Sequence, residues 1–336
     1  MTHTSIPLTH TREFTVADGV TCVPPNDLVR VAPGWKHFTV LGAGKTAIDS
    51  VLCLLANGAP PQHITWVLPR DPWLINRVIF QPGLDHFDQA IGRVTLQFET
   101  FAAAGSVREL CLQMEEAGTW MRLDPNVWPT MFHGATVTRL ELDHLRGIQN
   151  MVRLGRVQHI DTHRVQLERG ELPSHPETLY VDCTAKALDH AAHTAAAQSV
   201  FEDGLVRLHM IRTYQPTFSA ALIAHIEATV ADDAAKRQLC QPTRMTETVD
   251  DYLQVTTVNM RNQAAWNALP ELRSWIRNCR LDAYGETLAK VAKDDAPRRE
   301  VLARLAAATG PALENLLRLT AGPATDGSVA TAGSAA

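Results

Sequence analysis

KHFTVLGAGKTAIDSVLCLLANGAPPQHITWVLPRD, residues 36–71, reads as strand, glycine turn, helix and strand. Phe38–Leu41 is a short apolar run that ends at Gly42-Ala43-Gly44. From Lys45 the apolar positions change to helical spacing, with Ala47, Ile48, Val51, Leu52, Leu54 and Leu55 on one side. Asn57-Gly58 has the chemistry of a left-handed helix C-terminus. Ile64–Leu68 is a second apolar run, closed by Pro69-Arg70-Asp71. Together these make a βαβ unit opened by G-x-G-x-x-A, a dinucleotide-binding fingerprint.

Each residue of the turn has a physical reason. Gly42 permits a tight exit from the strand. Gly44 lacks a side chain, so a pyrophosphate can approach the backbone. Ala47 stands where the helix packs near the sheet, in place of a third glycine. The helix N-terminus offers unpaired N–H groups and a partial positive charge. Gly42, Ala43, Gly44, Lys45, Thr46 and Ala47 are therefore the expected pyrophosphate cradle. The end of the second strand chooses the nucleotide: a carboxylate there suits a free ribose 2′-hydroxyl, an arginine a 2′-phosphate. Arg70 precedes Asp71 and is a bidentate phosphate donor, which favours NADP over NAD. Arg77 is a second candidate for the same phosphate, and a solvated loop arginine is the plainer reading of Arg70.

A rival motif overlaps the first. Gly44-Lys45-Thr46 resembles the end of a P-loop, but the first glycine would fall at Thr39, inside the strand. Leu179-Tyr180-Val181-Asp182 could imitate a magnesium-binding strand end. This reading predicts a nucleotide triphosphatase.

The 336 residues suffice for two domains, or one with a large appendage. A net charge of −5 gives no basic footprint for nucleic acid or anionic lipid. Six scattered cysteines, with no C-x-x-C, suggest neither zinc nor a redox dithiol. The fourteen histidines are scattered along the sequence, and no metal is expected. There is no signal peptide and no membrane-length apolar run, so the expected compartment is the cytoplasm.

Residues 1–35 read as an irregular incoming connection with one short strand and a Pro24-Pro25-Asn26-Asp27 turn. Two helices are expected near 87–103 and 107–117. The alternation in residues 148–169 predicts two or three antiparallel strands, with turns at Gly155-Arg156 and Asp161-Thr162. Leu179–Cys183 is a buried strand. Helices are expected over 219–239, 263–277, 282–292 and 298–319. Residues 321–336 are expected to be a disordered tail.

GAGKTAID with ITWVLPRDPWLINR resembles the NADPH-binding motif of flavin-dependent oxidoreductases with two dinucleotide domains, such as the flavin-containing monooxygenases. VRLGRVQHID and RVQLERG are similar to the strand pair leaving that domain, and LYVDCTAKAL to the strand returning to the flavin domain. The likeness covers about residues 4–280 and is most specific near 38–77. Such proteins carry an earlier G-x-G-x-x-G for FAD, which this sequence lacks. A truncated form and a natural NADP-binding module without a flavin domain are both open readings. The resemblance implies NADP as cofactor, with FAD dependent on the missing motif, and hydride transfer from nicotinamide to flavin.

Three further segments are candidates. Asp182-Cys183-Thr184-Ala185 sits, by resemblance, near a flavin, or is only a strand end with a buried cysteine. Gln215-Pro216-Thr217-Phe218 begins a helix with Thr217 as N-cap. His133 lies in an aromatic segment, with no orienting carboxylate evident in sequence.

The expected fold class is α/β: a Rossmann-like NAD(P)-binding domain with a β-meander and an appended helical C-terminal region. The expected boundaries are 1–35 for the connection, 36–170 for the NAD(P) domain with its meander, 171–320 for the return strand and helices, and 321–336 for the tail. The leading function is an NADP(H)-dependent flavin-type oxidoreductase. The alternatives are a non-catalytic NAD(P)-binding module and the P-loop hydrolase. The expected partners are a small-molecule substrate and either a second copy or a separate flavin-binding protein.

Overall fold

The computed structural model describes residues 6–186, 198–282 and 284–321. Strands β1 (Thr15–Val16) and β2 (Thr21–Val23) precede helix α1 (Pro25–Val31). Strand β3 (His37–Leu41), helix α2 (Lys45–Ala56) and strand β4 (Ile64–Val67) follow. The next stretch holds β5 (Trp73–Asn76), α3 (Arg93–Ala103), α4 (Val107–Glu116), β6 (Trp120–Arg122), β7 (Thr136–Val137) and α5 (Arg139–Arg146). Then come β8 (Asn150–Val152), β9 (Val157–Ile160), β10 (Arg164–Leu167), β11 (Gly170–Pro173) and β12 (Thr178–Asp182).

The fold is α/β. β2, β12, β3, β4 and β8 lie side by side in that order, and every pairing between them is parallel. Successive strand residues face opposite ways. Val40, Trp66 and Val181 point into a core shared with α1, α2 and α5, through Leu28, Ile48, Val51 and Leu142. Leu41, Val67 and Tyr180 point the other way, onto Val157, Ile160 and Val165. Those belong to a four-stranded sheet, β1-β9-β10-β11, in which β9, β10 and β11 are antiparallel neighbours. Both faces of the parallel sheet are thus covered, which explains why β12 is buried along its whole length.

The remaining elements form two helical bodies. A small sheet, β6-β5-β7, packs its Trp73, Ile75 and Trp120 against α3 and α4. After β13 (Phe201–Glu202) and β14 (Leu205–Val206) come α6 (Pro216–Thr229), α7 (Asp233–Leu239), α8 (Val249–Ala268), α9 (Pro270–Asn278), α10 (Gly285–Ala289) and α11 (Ala296–Thr320). Leu253, Met260, Ala312 and Leu316 carry α8 and α11 into the core of the small sheet. Phe218, Leu222, Trp266 and Ile276 join α6, α8 and α9.

The βαβ reading of 36–71 holds, as do the helices near 87–103 and 107–117 and the buried strand at Leu179. Four expectations do not. The incoming connection contains two strands, and Pro25 begins α1 instead of completing a turn, since proline suits a first helical turn. Residues 150–152 pair parallel to β4, so Gly155-Arg156 carries the chain between sheets and is no hairpin. The span 219–239 breaks at Val230 into α6 and α7, and a helix expected from 263 begins at Val249. Thr217 is not a cap: Gln215 holds that position and Pro216 is the first helical residue. The tail beyond Ala321 lies outside the described residues. Among the described residues no helix is long and apolar enough to cross a membrane.

Candidate functional site

The glycine turn lies at the carboxyl edge of the parallel sheet. β3 connects through α2 to β4 on one side, while β12 lies on the other, so the crevice between β3 and β12 is where strand order reverses. Open parallel sheets bind ligands at such points. Gly42 has a φ of +126°, and a Cβ there would stand 2.6 Å from the Cys183 carbonyl oxygen. Its glycine identity is imposed by the close approach of β12 as well as by the turn. Its N–H donates to the Val67 carbonyl at 3.0 Å, and its carbonyl accepts from the indole Nε1 of buried Trp66 at 2.8 Å. The turn is therefore anchored from β4.

Gly44 differs. Its backbone is extended, with φ −80° and ψ −179°, and no atom lies within 4 Å of where a Cβ would be. Gly44 is the N-cap of α2 and supplies no side-chain cap, and the first turn carries no acidic residue. The leading N–H groups, at Lys45, Thr46 and Ala47, have no intrahelical acceptor. Lys45 reaches along the helix to Asp49. An open, uncapped helix start beneath a glycine is suited to a phosphate group.

A cavity of about 120 Å³ adjoins the turn on its meander side, lined by Gly42, Ala43, Pro69, Arg156, Cys183 and Thr184 among others. Gly44 is not among the residues that line it. Beside it, Asp182 is buried at the end of β12. Its Oδ2 lies 3.1 Å from Arg12 Nε and 3.2 Å from His10 Nε2, and its Oδ1 accepts from the Thr184 hydroxyl at 2.7 Å. These contacts strap residues 10–12 over the strand end. Cys183 sits 3.3 Å from the Ser50 hydroxyl, and burial pushes its thiol up to about 12, so it stays protonated at neutral pH.

The three residues expected beyond β4 go to different partners. Arg70 donates to Glu247. Asp71 is buried, and Arg153 clamps it with Nε at 2.8 Å and Nη2 at 3.0 Å. Arg77 pairs with Glu141 at 3.0 Å. Glu141 is the third residue of α5 and closes a capping box with Thr138. Burial would raise the Glu141 carboxyl, but its hydrogen bonds at Thr138 and the charges of Arg77 and Lys45 lower it. Arg77 thus shares the Glu141 carboxylate with the charge of Lys45, while Arg70 meets its partner just beyond the end of β4.

His133, without a carboxylate partner in the sequence reading, has one in the fold: its Nε2 lies 2.7 Å from Glu247 Oε2. Burial alone would raise Glu247, but the hydrogen bonds from His133 and Arg70 outweigh it and hold the carboxyl at about 2. The surroundings are braced. Tyr214 has a left-handed backbone (φ +62°), and its ring covers Gly134, where a Cβ would stand 2.7 Å from Cζ. The Thr246 hydroxyl lies 2.7 Å from the Tyr214 hydroxyl and donates to the Phe132 carbonyl at 2.6 Å. Glu247, Arg153 and Glu141 escaped the sequence reading. The Thr248-x-x-Asp251 spacing that caps α8 signals a helix start next to Glu247, though not its ion pair.

Among the described residues no group of histidine, cysteine and acidic side chains is arranged to hold a metal.

The chain is 36% identical to uncharacterized proteins of Mycobacterium bovis and Mycobacterium tuberculosis, over 314 residues. The match covers 94% of this chain and 58% of theirs, so the chain spans little more than half the length of these curated relatives. No family model matches the chain.

Proposed function

We propose that the chain is the NADP(H)-binding unit of a flavin-type oxidoreductase, with a Rossmann-like fold. The single observation that carries this is the open, uncapped start of α2 under Gly44, at the point where the parallel strand order reverses. The order β8-β4-β3-β12 supports it, because mononucleotide-binding halves place their first three strands and the fourth in this way. The antiparallel β9-β10-β11 set between β8 and β12 agrees with the resemblance noted from sequence.

In this reading the N–H groups of residues 45–47 hold the pyrophosphate. Arg70 stands at the end of β4, where the adenosine ribose would lie. The nicotinamide supplies hydride when bound; the chain's residues bind and orient it. A flavin's adenosine diphosphate would need a second such cradle. Among the described residues β3–α2 is the one parallel strand that turns through G-x-G into a helix. The flavin is therefore assigned to another polypeptide or to the sequence that the relatives have outside the match. That same observation favours the second reading, a binding module without redox activity of its own. The triphosphatase alternative meets a three-residue turn and a Lys45 directed at Asp49.

Isothermal titration of the full chain with NADPH tests the proposal. A Cβ at Gly44 meets no atom within 4 Å, so the side chain of Gly44→Val extends into the open space a pyrophosphate needs. Binding that falls at least tenfold in Gly44→Val, with the variant still folded at the titration temperature by circular dichroism, is the expected result. Unaltered binding, or no binding by the parent protein, overturns it. The visible spectrum before and after added FAD separates a flavoprotein from a module.

A further inference from the structure

Two basic side chains converge on one carboxylate at the carboxyl edge of the sheet. Arg70 follows β4, His133 follows the Asp71-paired segment, and Glu247 arrives from the residue before the cap of α8. One carboxylate oxygen of Glu247 takes the Arg70 guanidinium, and the other takes His133 at 2.7 Å. A phosphate monoester asks for this same arrangement: an arginine fork and a second donor around one anionic group.

We propose that Glu247 is a built-in stand-in for a phosphate, and that the 2′-phosphate of NADP(H) takes its place between Arg70 and His133 when the Glu247 side chain swings away. The inference rests on the nucleotide reading above and deepens it. The main chain of Glu247 is held by contacts that do not involve its carboxylate. The Glu247 carbonyl accepts from the Phe132 N–H at 2.8 Å, and its N–H donates to Asp251 at 3.1 Å. Those contacts hold the main chain while the carboxylate, about 30% exposed, turns toward solvent. The bracing of Tyr214, Thr246 and Phe132 is likewise independent of the carboxylate.

The consequence is a competitor tethered inside the site. A ligand that binds only the open form has its apparent affinity reduced by the open fraction. A carboxylate seated in about nine molecules of ten costs NADPH about tenfold. NADH, with no 2′-phosphate, does not compete. Glu247 therefore moderates the preference that Arg70 creates.

Calorimetric titration of the full chain with NADPH and with NADH, in the parent protein, E247Q and the double variant R70A/E247Q, tests this. E247Q is expected to bind NADPH about tenfold more tightly and NADH unchanged, with the gain lost in R70A/E247Q. The His133 ring resonances should also move on addition of 2′,5′-ADP but not of 5′-AMP. If both dinucleotides bind and E247Q leaves their ratio unaltered, the stand-in is overturned and the nucleotide site stands. If no protein binds either dinucleotide, the nucleotide reading falls and this inference with it. Should E247Q fail to fold, Glu247→Asp withdraws the charge by one methylene and must give a smaller gain in the same direction; no gain overturns the inference.

Discussion

Gly42 and Gly44 stand two residues apart in one turn, yet substitution should affect them in different ways. An alanine at Gly42 must adopt a φ near +126° and push against the Cys183 carbonyl. The backbone conformation alone costs about 1–3 kcal/mol, so Gly42→Ala should lower stability in urea melts by at least that much. Gly44→Val replaces a tolerated N-cap by a poor one and should cost about 1 kcal/mol in the melt, while its larger effect falls on binding. Arg70→Ala tests the nucleotide choice: NADPH affinity should fall relative to NADH, and an unchanged ratio would remove Arg70 from the site. The turn was legible in sequence because its chemistry is local, a glycine at a forced φ and a helix start within six residues. The partner of Arg70 was not. Glu247 is 177 positions away, and nothing near either residue marks the pairing. Asp71 shows the same limit, because its clamp by Arg153 comes from 82 positions further along the chain.

At the scale of elements, α8 begins with a capping box in which Thr248 and Asp251 each satisfy the other's backbone N–H. Thr248→Ala should destabilise the protein by about 1 kcal/mol in denaturant melts. It should also loosen the neighbouring Glu247. That carboxylate gives the region a pH signature with a definite sign. Its folded value of about 2 lies below the ordinary 4.5, so its stabilisation is complete above pH 4.5 and fades as pH falls toward 2. The contribution is on the order of 1–2 kcal/mol once partial exposure is allowed for. Urea midpoints of the parent and of E247Q should therefore differ at pH 7 and converge near pH 2.5. A constant difference across that range would place the stabilisation elsewhere. The strong helices and buried strands were visible as periodicities. The break between α6 and α7 and the early start of α8 were not, because long polar-apolar mixtures such as VDDYLQVTTVNMRNQ carry no clean helical stripe.

At the scale of the whole molecule, Arg212 joins pieces that are remote in sequence. Its guanidinium contacts Asp282 at 2.8 Å and Gln263 at 2.6 Å, and lies 3.9 Å from the centre of the Phe218 ring. Both charged side chains of the pair are largely buried. Arg212→Ala would leave Asp282 without its counter-charge and should cost about 3–5 kcal/mol in urea unfolding. The α/β class was readable from the alternation of strand and helix signals. The seating of β12 between β2 and β3 was not, because a continuously apolar strand carries no information about which neighbour it will take.

That seating also sets an order in time. β3 has β4 and α2 beside it soon after residue 67 emerges, but its other edge stays bare until residues 178–182 exist, about 140 residues after β3 begins. At ordinary synthesis rates the interval is roughly 7–30 s, during which a nascent chain exposes an apolar strand edge with unpaired N–H and C=O groups. Productive folding in the cell thus depends on what guards that edge during translation.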